Sequence, residues 1–199
     1  MQKLISHQNG WIEGIRHVPS PNFNERPTEV SVDLLVIHNI SMPPSQFGTG
    51  DVDALFTNQL DFDHHPFYNG LRGIKVSSHF LISRDGQITQ YVSMLKRAWH
   101  AGVSSFKGRE QCNDFSIGIE LEGTDDMPFT EVQYQQLASL TLLIMECFPN
   151  ITQARITGHS DVAPGRKTDP GPFFKWKHYF ALLEDLRFEM INPERRNKK

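Results

Sequence analysis

The sequence predicts an α/β protein, a single domain in which a central mixed β-sheet is flanked by helices. Short apolar or alternating runs, which are typical of strands, alternate along the chain with longer segments of helical periodicity. The chain has 199 residues and a hydrophobic fraction of 38%, enough to bury a sizeable core. We find no internal repeat or low-complexity linker, so residues 1–199 are predicted to form one domain with its core at about residues 11–188.

The first predicted elements lie between residues 33 and 92. Residues 33–40 (DLLVIHNI) form a short apolar run that predicts a buried central strand. Residues 51–60 predict a short helix. Residues 77–92 contain two β-like runs around the dipeptide Asp85-Gly86, which is a strong signal for a hairpin.

An alternating strand and a long helix follow. In residues 115–123, Phe115, Ile117, Ile119 and Leu121 lie on one face, and Ser116, Gly118, Glu120 and Glu122 lie on the other. Thr130 and Gln133 have the spacing of a capping box, which predicts the start of a helix. Its buried stripe is predicted to be Leu137, Leu140, Ile144 and Phe148, with the helix ending before Pro149.

The last part of the chain combines a stiff loop with a helix. Residues 154–159 predict a short strand that leads into TGHSDVAPGRKTDPG (residues 157–171). Proline and glycine in this segment are typical of turns. A further helix is predicted after Pro172, with an apolar stripe of Phe173, Trp176, Phe180 and Leu183.

Charge and composition exclude several classes of protein. The formal net charge of −3 argues against sequence-independent nucleic-acid binding. No stretch approaches the roughly 18 apolar residues of a spanning helix, and the N-terminus lacks a signal-peptide pattern. Cys112 and Cys147 have no motif spacing, and Cys147 is predicted to be a buried thiol. We therefore expect a cytoplasmic protein without membrane, nucleic-acid or obligate protein partners, with residues 192–199 as a basic solvated tail.

Three residues with metal-binding side chains lie at predicted strand ends or in the stiff loop. His38 ends the strand at residues 33–40, His159 ends the short strand that follows residue 153, and Asp169 lies ten residues further on. Two histidines and a carboxylate suit a zinc site that leaves one coordination position open. The spacing is not a compact motif, so a structural role for each residue remains an alternative.

Two glutamates and a lysine are candidates for acid–base chemistry beside such a site. Glu120 and Glu122 share the polar face of their strand, and the pattern does not choose between them. The alternative is a solvated sheet face. Lys167, two residues before Asp169, suits the stabilisation of an oxyanion, although Lys167 and Arg166 also fit ordinary exposed loop charges.

Other polar residues have simpler interpretations. Asp161 is interpreted as a turn or N-cap residue and not as a second metal ligand. The adjacent histidines of DHHP (residues 63–66) are not expected to chelate one ion. Trp99 and His100, before a glycine, are expected in a cleft wall or a substrate-contacting turn, and His79 is expected in the core or beside the site. Three histidines show no partner and are expected at the surface: His7, His17 and His178.

Six segments of the chain resemble, in order, the blocks of the zinc N-acetylmuramoyl-L-alanine amidases. They are VIHNIS, SSHFLI, GQITQYV, RAWHAG, CNDFSIGIELEGTD and TGHSDVAPGRKTDPG. The similarity extends from about residue 11 to residue 176. It is greatest to the branch that cleaves 1,6-anhydro-N-acetylmuramoyl peptides during cell-wall recycling, a branch that has Asp at the position of the third ligand, where other members often have Cys.

The resemblance implies a role for each candidate residue. It implies that His38, His159 and Asp169 bind one zinc ion, that Glu120 is the catalytic acid/base, and that Lys167 lies beside the scissile carbonyl. It also implies that basic residues bind the carboxylates of the peptide, for which we expect Arg72 and Arg109. Gln111 replaces an arginine found in some relatives, which leaves these contacts open. Asn39 and Trp99 are expected to line the sugar or peptide side of the cleft.

The implied reaction is hydrolysis of the amide between the lactyl group of 1,6-anhydro-N-acetylmuramic acid and L-alanine of a small soluble muropeptide. Two alternatives remain at this point. One is an amidase that acts on polymeric peptidoglycan, and the other is a recognition module without catalysis. The complete set of zinc ligands with Glu120 and Lys167 argues against the second.

Overall fold

A mixed β-sheet organises the fold of the computed structural model, which describes residues 5–6 and 8–192. The strands, in chain order, are β1 (Ile5–Ser6), β2 (Ile12–Glu13), β3 (Arg16–His17), β4 (Phe23–Asn24), β5 (Leu34–Ile40), β6 (Phe80–Ile82), β7 (Ile88–Gln90), β8 (Arg97–Ala98), β9 (Ser105–Phe106), β10 (Arg109–Glu110), β11 (Ser116–Glu122) and β12 (Ile156–Gly158). The α-helices are α1 (Asp51–Phe56), α2 (Glu131–Cys147), α3 (His159–Val162) and α4 (Trp176–Ile191). Short 3₁₀ turns cover Pro66–Leu71, Cys112–Asp114 and Gln153–Arg155.

The strands of the central sheet lie in the order β12–β5–β11–β6–β7–β3. β12, β5, β11 and β6 are parallel, β7 is antiparallel to β6 in the predicted hairpin, and β3 runs parallel to β7. β5 and β11 pair over seven residues, and His38 lies opposite Glu120 in this register. The carboxyl ends of β12, β5 and β11 therefore meet at one edge of the sheet, where loops bring functional residues together.

One face of the sheet is apolar and packs against α2 and α4. The alternation of β11 places Ile117, Ile119 and Leu121 on this face, and they share a buried cluster with Leu137 and Leu183. The predicted capping box at α2 is confirmed, since Thr130 accepts a hydrogen bond from the Gln133 N–H and the Gln133 side chain accepts one from the Thr130 N–H. Helical periodicity on α2 matches strand alternation on β11, so the two apolar surfaces close on each other.

The opposite face carries the polar residues of β11, and it is also buried. All seven residues of β11 are buried, including Glu120 and Glu122 at 7% exposure each. Apolar residues of α1 and of the segment after it cover this face beside Leu81 and Tyr91. The interpretation of Glu120 and Glu122 as a solvated sheet face is therefore wrong.

Several element boundaries differ from the prediction. α1 ends at Phe56 instead of residue 60, and Asn58 follows with a left-handed φ of 60°. The short strand near residue 154 is limited to Ile156–Gly158, and His159 is the first residue of α3. Phe173 lies before α4 and is 45% exposed, so it does not belong to the core stripe. Tyr179 and Leu183 are the residues that α4 buries fully.

Cys112 is buried, but Cys147 is exposed, so the prediction of a buried thiol at position 147 is wrong. Cys147 is the last residue of α2 and lies beyond the stripe that faces the sheet. No helix within residues 5–6 and 8–192 combines the length and the apolar character needed to cross a membrane. His7 and residues 193–199 of the predicted basic tail lie outside the described residues.

Candidate active site

Three side chains from separate parts of the chain converge at the carboxyl edge of the sheet. His38 comes from β5, His159 from the start of α3, and Asp169 from the loop after α3. His38 Nδ1 lies 2.9 Å from His159 Nδ1, and both nitrogens lie 3.0 Å from Asp169 Oδ2. Both histidine side chains are almost completely buried, whereas 13% of the Asp169 side chain is exposed. The three donor atoms thus surround one point that opens toward solvent on the Asp169 side.

The segment 157–170 folds so that His159 and Asp169 are neighbours. Asp161 Oδ2 accepts hydrogen bonds from the Thr157 hydroxyl (2.8 Å) and the Gly158 N–H (2.9 Å), which satisfies a free donor at the start of α3. Ser160 N–H then donates to the backbone carbonyl of Asp169 at 2.9 Å. These bonds return the loop to the start of the helix. Asp161 therefore caps α3 as predicted, but from the third position of the helix, and the N-cap residue itself is Gly158.

Burial and hydrogen bonding set the charges of this cluster. Burial lowers the pKa of His38 to about 4, so its imidazole is neutral near pH 7. Burial alone would raise the pKa of Asp169, but the hydrogen bonds with His159 and His38 outweigh it and hold the pKa below its ordinary value. Asp169 is therefore an anion between two imidazoles.

The cluster fits a divalent cation of the zinc type. Among the described residues, it is the one group of three or more His, Cys, Asp or Glu side chains whose ligand atoms come close enough to hold an ion. Two imidazole nitrogens and one carboxylate oxygen are ligands that zinc prefers. Bonds of about 2.0–2.1 Å in a tetrahedral site place the ligand atoms about 3.3 Å apart, close to the distances observed. The donor set and its spacing thus suit zinc with small adjustments.

The structure distinguishes Glu120 from Glu122. The two oxygens of Glu122 accept backbone hydrogen bonds, from Gly48 at 2.5 Å and from Arg84 at 3.1 Å. Glu120 Oε2 is buried and has no hydrogen-bond partner among the described residues. Glu120 also lines the cavity above the histidines. Glu122 therefore holds a loop in place, and Glu120 is the carboxyl available for chemistry.

Burial raises the pKa of Glu120 well above its ordinary value. The nearby Asp169 carboxylate adds to this effect, and the Lys167 ammonium opposes it. A carboxyl whose pKa is raised holds its proton more firmly than an ordinary glutamate, as a general acid requires, and is a stronger base once it is ionised. The environment of Glu120 is thus that of a general acid/base.

The cavity at this edge has a volume of about 310 Å³. His38, His159, Asp169, Glu120 and Lys167 line one side of it. The other side is an apolar wall from α1 and the segment after it: Leu55, Phe56, Phe67, Leu71, Ile74 and Val76. This wall was not predicted from the sequence. The one signal for it was a set of apolar residues in the irregular, glycine-containing segment after α1, which does not show by itself what these residues pack against.

The predicted substrate-binding residues divide into two pairs. Asn39 and Trp99 line the cavity. The Asn39 amide donates to Asp125 Oδ1 at 2.7 Å, and the Trp99 indole donates to Asn24 Oδ1 at 2.7 Å. Both side chains are thereby held at the wall of the cavity.

Arg72 and Arg109 do not line the cavity, contrary to expectation. Arg72 pairs with Asp63 at 2.5 Å and lies over the Phe62 ring. The Arg109 guanidinium pairs with Asp33 at 3.0 Å and stacks on Phe115 at 3.8 Å. Asp33 precedes β5, so Arg109 lies at the opposite end of this strand from His38. Each arginine thus has a local partner that sequence spacing does not reveal, and neither is among the residues that line the cavity.

Four of the other described histidines have hydrogen-bond partners outside the candidate metal cluster. His79 is fully buried, accepts a hydrogen bond from the Gly118 N–H at 3.0 Å and donates to the Lys96 carbonyl at 3.1 Å. His65 accepts from the Phe67 N–H, consistent with a structural role for the pair at residues 64–65. His17 contacts the Ile12 carbonyl and His178 contacts Glu131, so the prediction that they have no partner is wrong. The predicted surface position is confirmed for His17, which is exposed, whereas His178 is half-buried.

A mixed sheet flanked by helices, with a buried carboxyl and a candidate metal cluster in one cavity, is the arrangement of an enzyme of the α/β class with a candidate metal centre. The family model described as N-acetylmuramoyl-L-alanine amidase matches residues 28–172, and the chain belongs to this family of enzymes. It is 54% identical over 176 residues to the 1,6-anhydro-N-acetylmuramyl-L-alanine amidase AmpD of Escherichia coli, covering 88% of this chain and 96% of the relative.

Two solved structures are also similar. A crystal structure of a selenomethionine derivative of AmpD superposes with a TM-score of 0.87 at 52% identity, over 90% of this chain and 99% of that one. The Escherichia coli amidase AmiD, solved with anhydro-N-acetylmuramic acid-L-Ala-D-γ-Glu-L-Lys as substrate, superposes with a TM-score of 0.56 at 28% identity. That match covers 92% of this chain and 66% of AmiD. The fold-class prediction and the resemblance to the amidase family are confirmed.

Proposed function

We propose that the chain is a zinc-dependent amidase that hydrolyses the bond between 1,6-anhydro-N-acetylmuramic acid and L-alanine in soluble muropeptides. The observation that carries this proposal is the convergence of His38, His159 and Asp169 beside the unpartnered oxygen of Glu120. The names of the relatives support the substrate class, because AmpD is named for this amide and AmiD was solved with an anhydro-muramoyl peptide.

Each residue has a role that follows from its position. His38, His159 and Asp169 would hold the zinc ion, which supplies Lewis acidity at the scissile carbonyl and lowers the pKa of water. Glu120 takes a proton from the attacking water as the C–O bond forms. It then gives that proton to the nitrogen of L-alanine as the C–N bond breaks. The Lys167 ammonium at the cavity wall stabilises the negative charge on the carbonyl oxygen.

The shape of the cavity supports a substrate with an apolar and a polar side. The wall formed by Phe67, Leu71 and Ile74 offers apolar contact area opposite the polar cluster. Asn39, held by Asp125, and Trp99, held by Asn24, are proposed to contact the sugar or the peptide. The cytoplasmic location predicted from the sequence remains a prediction and is consistent with a soluble substrate.

The first experiment compares Glu120→Gln with Glu122→Gln. The Glu120 variant should bind zinc like the unmodified chain and lose about 10²–10⁴-fold in kcat on an anhydro-muropeptide, since it lacks the proton-transfer group. Glu122→Gln keeps the size of the side chain but only one of its two acceptor oxygens, so it should lower stability. It should nevertheless retain far more activity than Glu120→Gln, because Glu122 binds loop backbone and not substrate. Release of L-alanyl peptide is measured by chromatography. Near-normal turnover by Glu120→Gln would contradict the assignment.

A second experiment tests the metal and the substrate. Treatment with a chelator should abolish turnover of the anhydro-muropeptide, and added zinc should restore it. Turnover that does not depend on metal, or no turnover with saturating zinc, would overturn the zinc-amidase proposal. Faster hydrolysis of intact sacculi than of anhydro-muropeptides would instead favour the alternative of an amidase for polymeric peptidoglycan.

A further inference from the structure

The two histidines of the candidate metal site have different partners at Nε2. His159 Nε2 lies 3.0 Å from the carbonyl oxygen of Ala101. A carbonyl oxygen only accepts hydrogen bonds, so this contact places the proton of His159 on Nε2 and leaves a lone pair on Nδ1. For His159, the backbone by itself selects the tautomer that binds a metal through Nδ1.

The partner of His38 at Nε2 is another imidazole, which by itself does not determine the tautomer of His38. Its Nε2 lies 2.9 Å from Nδ1 of His100. A neutral imidazole nitrogen either donates or accepts, so the tautomer of His38 depends on the tautomer of His100. His100 Nε2 in turn lies 3.0 Å from the hydroxyl oxygen of Ser116. His38, His100 and Ser116 form a buried chain from the site to the first residue of β11.

We propose that His100 is a positioning residue for metal binding: its Nδ1 accepts a hydrogen bond from Nε2–H of His38 and thereby keeps the lone pair of His38 on Nδ1. The hydroxyl oxygen of Ser116 accepts a hydrogen bond from Nε2–H of His100. The inference rests on the proposed zinc role of His38, His159 and Asp169. It assigns to His100 a function that acts through His38.

Two features of the fold hold the His100 ring in place. A Cβ atom at position 118 would lie 2.6 Å from Cγ of His100, so the ring occupies space that β11 leaves open only because Gly118 has no side chain. Asn113 Oδ1 accepts hydrogen bonds from the backbone N–H groups of both His100 (3.1 Å) and Ala101 (2.8 Å). One side chain therefore fixes the segment that supplies partners to both metal histidines.

The tautomers can be measured in the zinc-loaded, unmodified chain by ¹⁵N NMR of the histidine rings near pH 7. We expect a neutral His100 with its proton on Nε2, and His38 with its proton on Nε2. A proton on Nδ1 of His100, or a doubly protonated His100 ring, would overturn the proposal. This measurement needs no substitution and therefore remains decisive if a variant does not fold.

A matched pair of variants tests the effect on metal binding. His100→Asn places an amide oxygen near the position of Nδ1 and keeps an acceptor for His38, whereas His100→Leu fills similar space without an acceptor. Zinc affinity is measured by competition with a chromogenic chelator. We expect a loss of about 10–100-fold for His100→Leu and a much smaller loss for His100→Asn, as for other residues that orient a metal ligand.

The outcomes separate this inference from the proposed function. If the unmodified chain binds zinc and His100→Leu binds it equally well, or His100→Asn is as weak as His100→Leu, the inference is overturned and the zinc-amidase proposal remains. If the unmodified chain binds no zinc, both are overturned. Far-ultraviolet circular dichroism of each variant ensures that affinity is compared between folded proteins.

Discussion

At the scale of single residues, hydrogen-bond partners distinguish two glutamates that the sequence pattern could not distinguish. Glu120 and Glu122 lie on the same face of the same strand with the same 7% exposure. The Glu122 carboxylate accepts hydrogen bonds from two backbone N–H groups, whereas one buried oxygen of Glu120 has no hydrogen-bond partner among the described residues. A buried carboxyl without donors is costly, which favours the protonated form and raises its pKa. The same chemistry that penalises Glu120 in the fold makes it suitable for proton transfer.

The buried His79 gives a prediction for the pH dependence of stability. Burial, with the nearby Arg26 charge, lowers the pKa of His79 to about 3 in the folded chain, below its ordinary value of 6.5. At pH values between these two pKa values, His79 is protonated in the unfolded chain and neutral in the folded chain. The free energy of unfolding therefore falls as the pH is lowered through this range, by up to about 1.4 kcal/mol per pH unit from this residue.

His79→Asn should reduce this slope, because the asparagine oxygen can still accept from the Gly118 N–H but does not titrate. Urea unfolding of the metal-free proteins at several pH values from 4.5 to 7.5 measures the slope. The difference in stability at pH 7.5 reports the lost contact with Lys96 and serves as the internal control. Equal slopes for the two proteins would show that His79 does not take up a proton on unfolding.

At the scale of elements, a short capped helix positions two of the candidate ligands, His159 and Asp169. α3 has only four residues, and Asp161 ties its start to Thr157 and Gly158. The bond from Ser160 N–H to the Asp169 carbonyl joins the returning loop to the same turn. An isolated helix of this length is not stable by itself, so the side chain of Asp161 and the tertiary contacts supply its order.

Asp161→Ala removes the hydrogen bonds from the Thr157 hydroxyl and from the Gly158 N–H. It should destabilise the fold by about 1 kcal/mol, within the usual range for a lost helix cap. It should also weaken zinc binding, because His159 and Asp169 lie on the segment that it holds. Thr130→Ala removes a comparable cap from α2, outside the cavity lining, and is the matched control. We expect a similar loss of stability in Thr130→Ala with unchanged zinc affinity, measured by urea unfolding and chelator competition. Equal zinc affinities in the two variants would contradict a role for the α3 turn in ligand placement.

At the scale of the whole molecule, the order of the strands creates the site. β12 and β11 flank β5, so residues separated by more than a hundred positions become neighbours at one sheet edge. The apolar face packs on α2 and α4, and the polar face closes against α1 and the segment after it. A ligand bound by such distant residues requires the folded state, so it stabilises that state.

Zinc should therefore raise the stability of the whole chain. At a free zinc concentration 100 times the Kd, the stabilisation is about 2.7 kcal/mol. For a chain of this size, that corresponds to a Tm increase of roughly 5–10 °C. Scanning calorimetry with zinc and with a chelator measures the shift. His38→Ala should show little response, whereas His178→Ala, which changes a half-buried histidine paired with Glu131, should respond like the unmodified chain. A normal response of His38→Ala would place the ion elsewhere.

Local patterns in the sequence predicted the elements well and long-range contacts poorly. The strand at β5, the hairpin, the alternation of β11 and the capping box of α2 each depend on neighbours within a few residues, and all are confirmed. The predicted burial of Cys147 and of Phe173 was wrong, because burial depends on which surfaces pack against each other. Substrate binding by Arg109 stays a prediction, although Arg109 pairs with Asp33 and is not among the residues that line the cavity. The apolar wall and the contact between His38 and His100 were missed for the same reason.

The sequence by itself determined the α/β class, the candidate ligands His38, His159 and Asp169, and the family. These features reside in periodicity and in motifs that are local along the chain. Only the tertiary structure showed that Glu120 and Glu122 have different partners, placed Arg109 outside the cavity lining and connected His38 to His100. Those outcomes depend on hydrogen bonds and burial between residues far apart in the chain, which exist only after the sheet has brought them together.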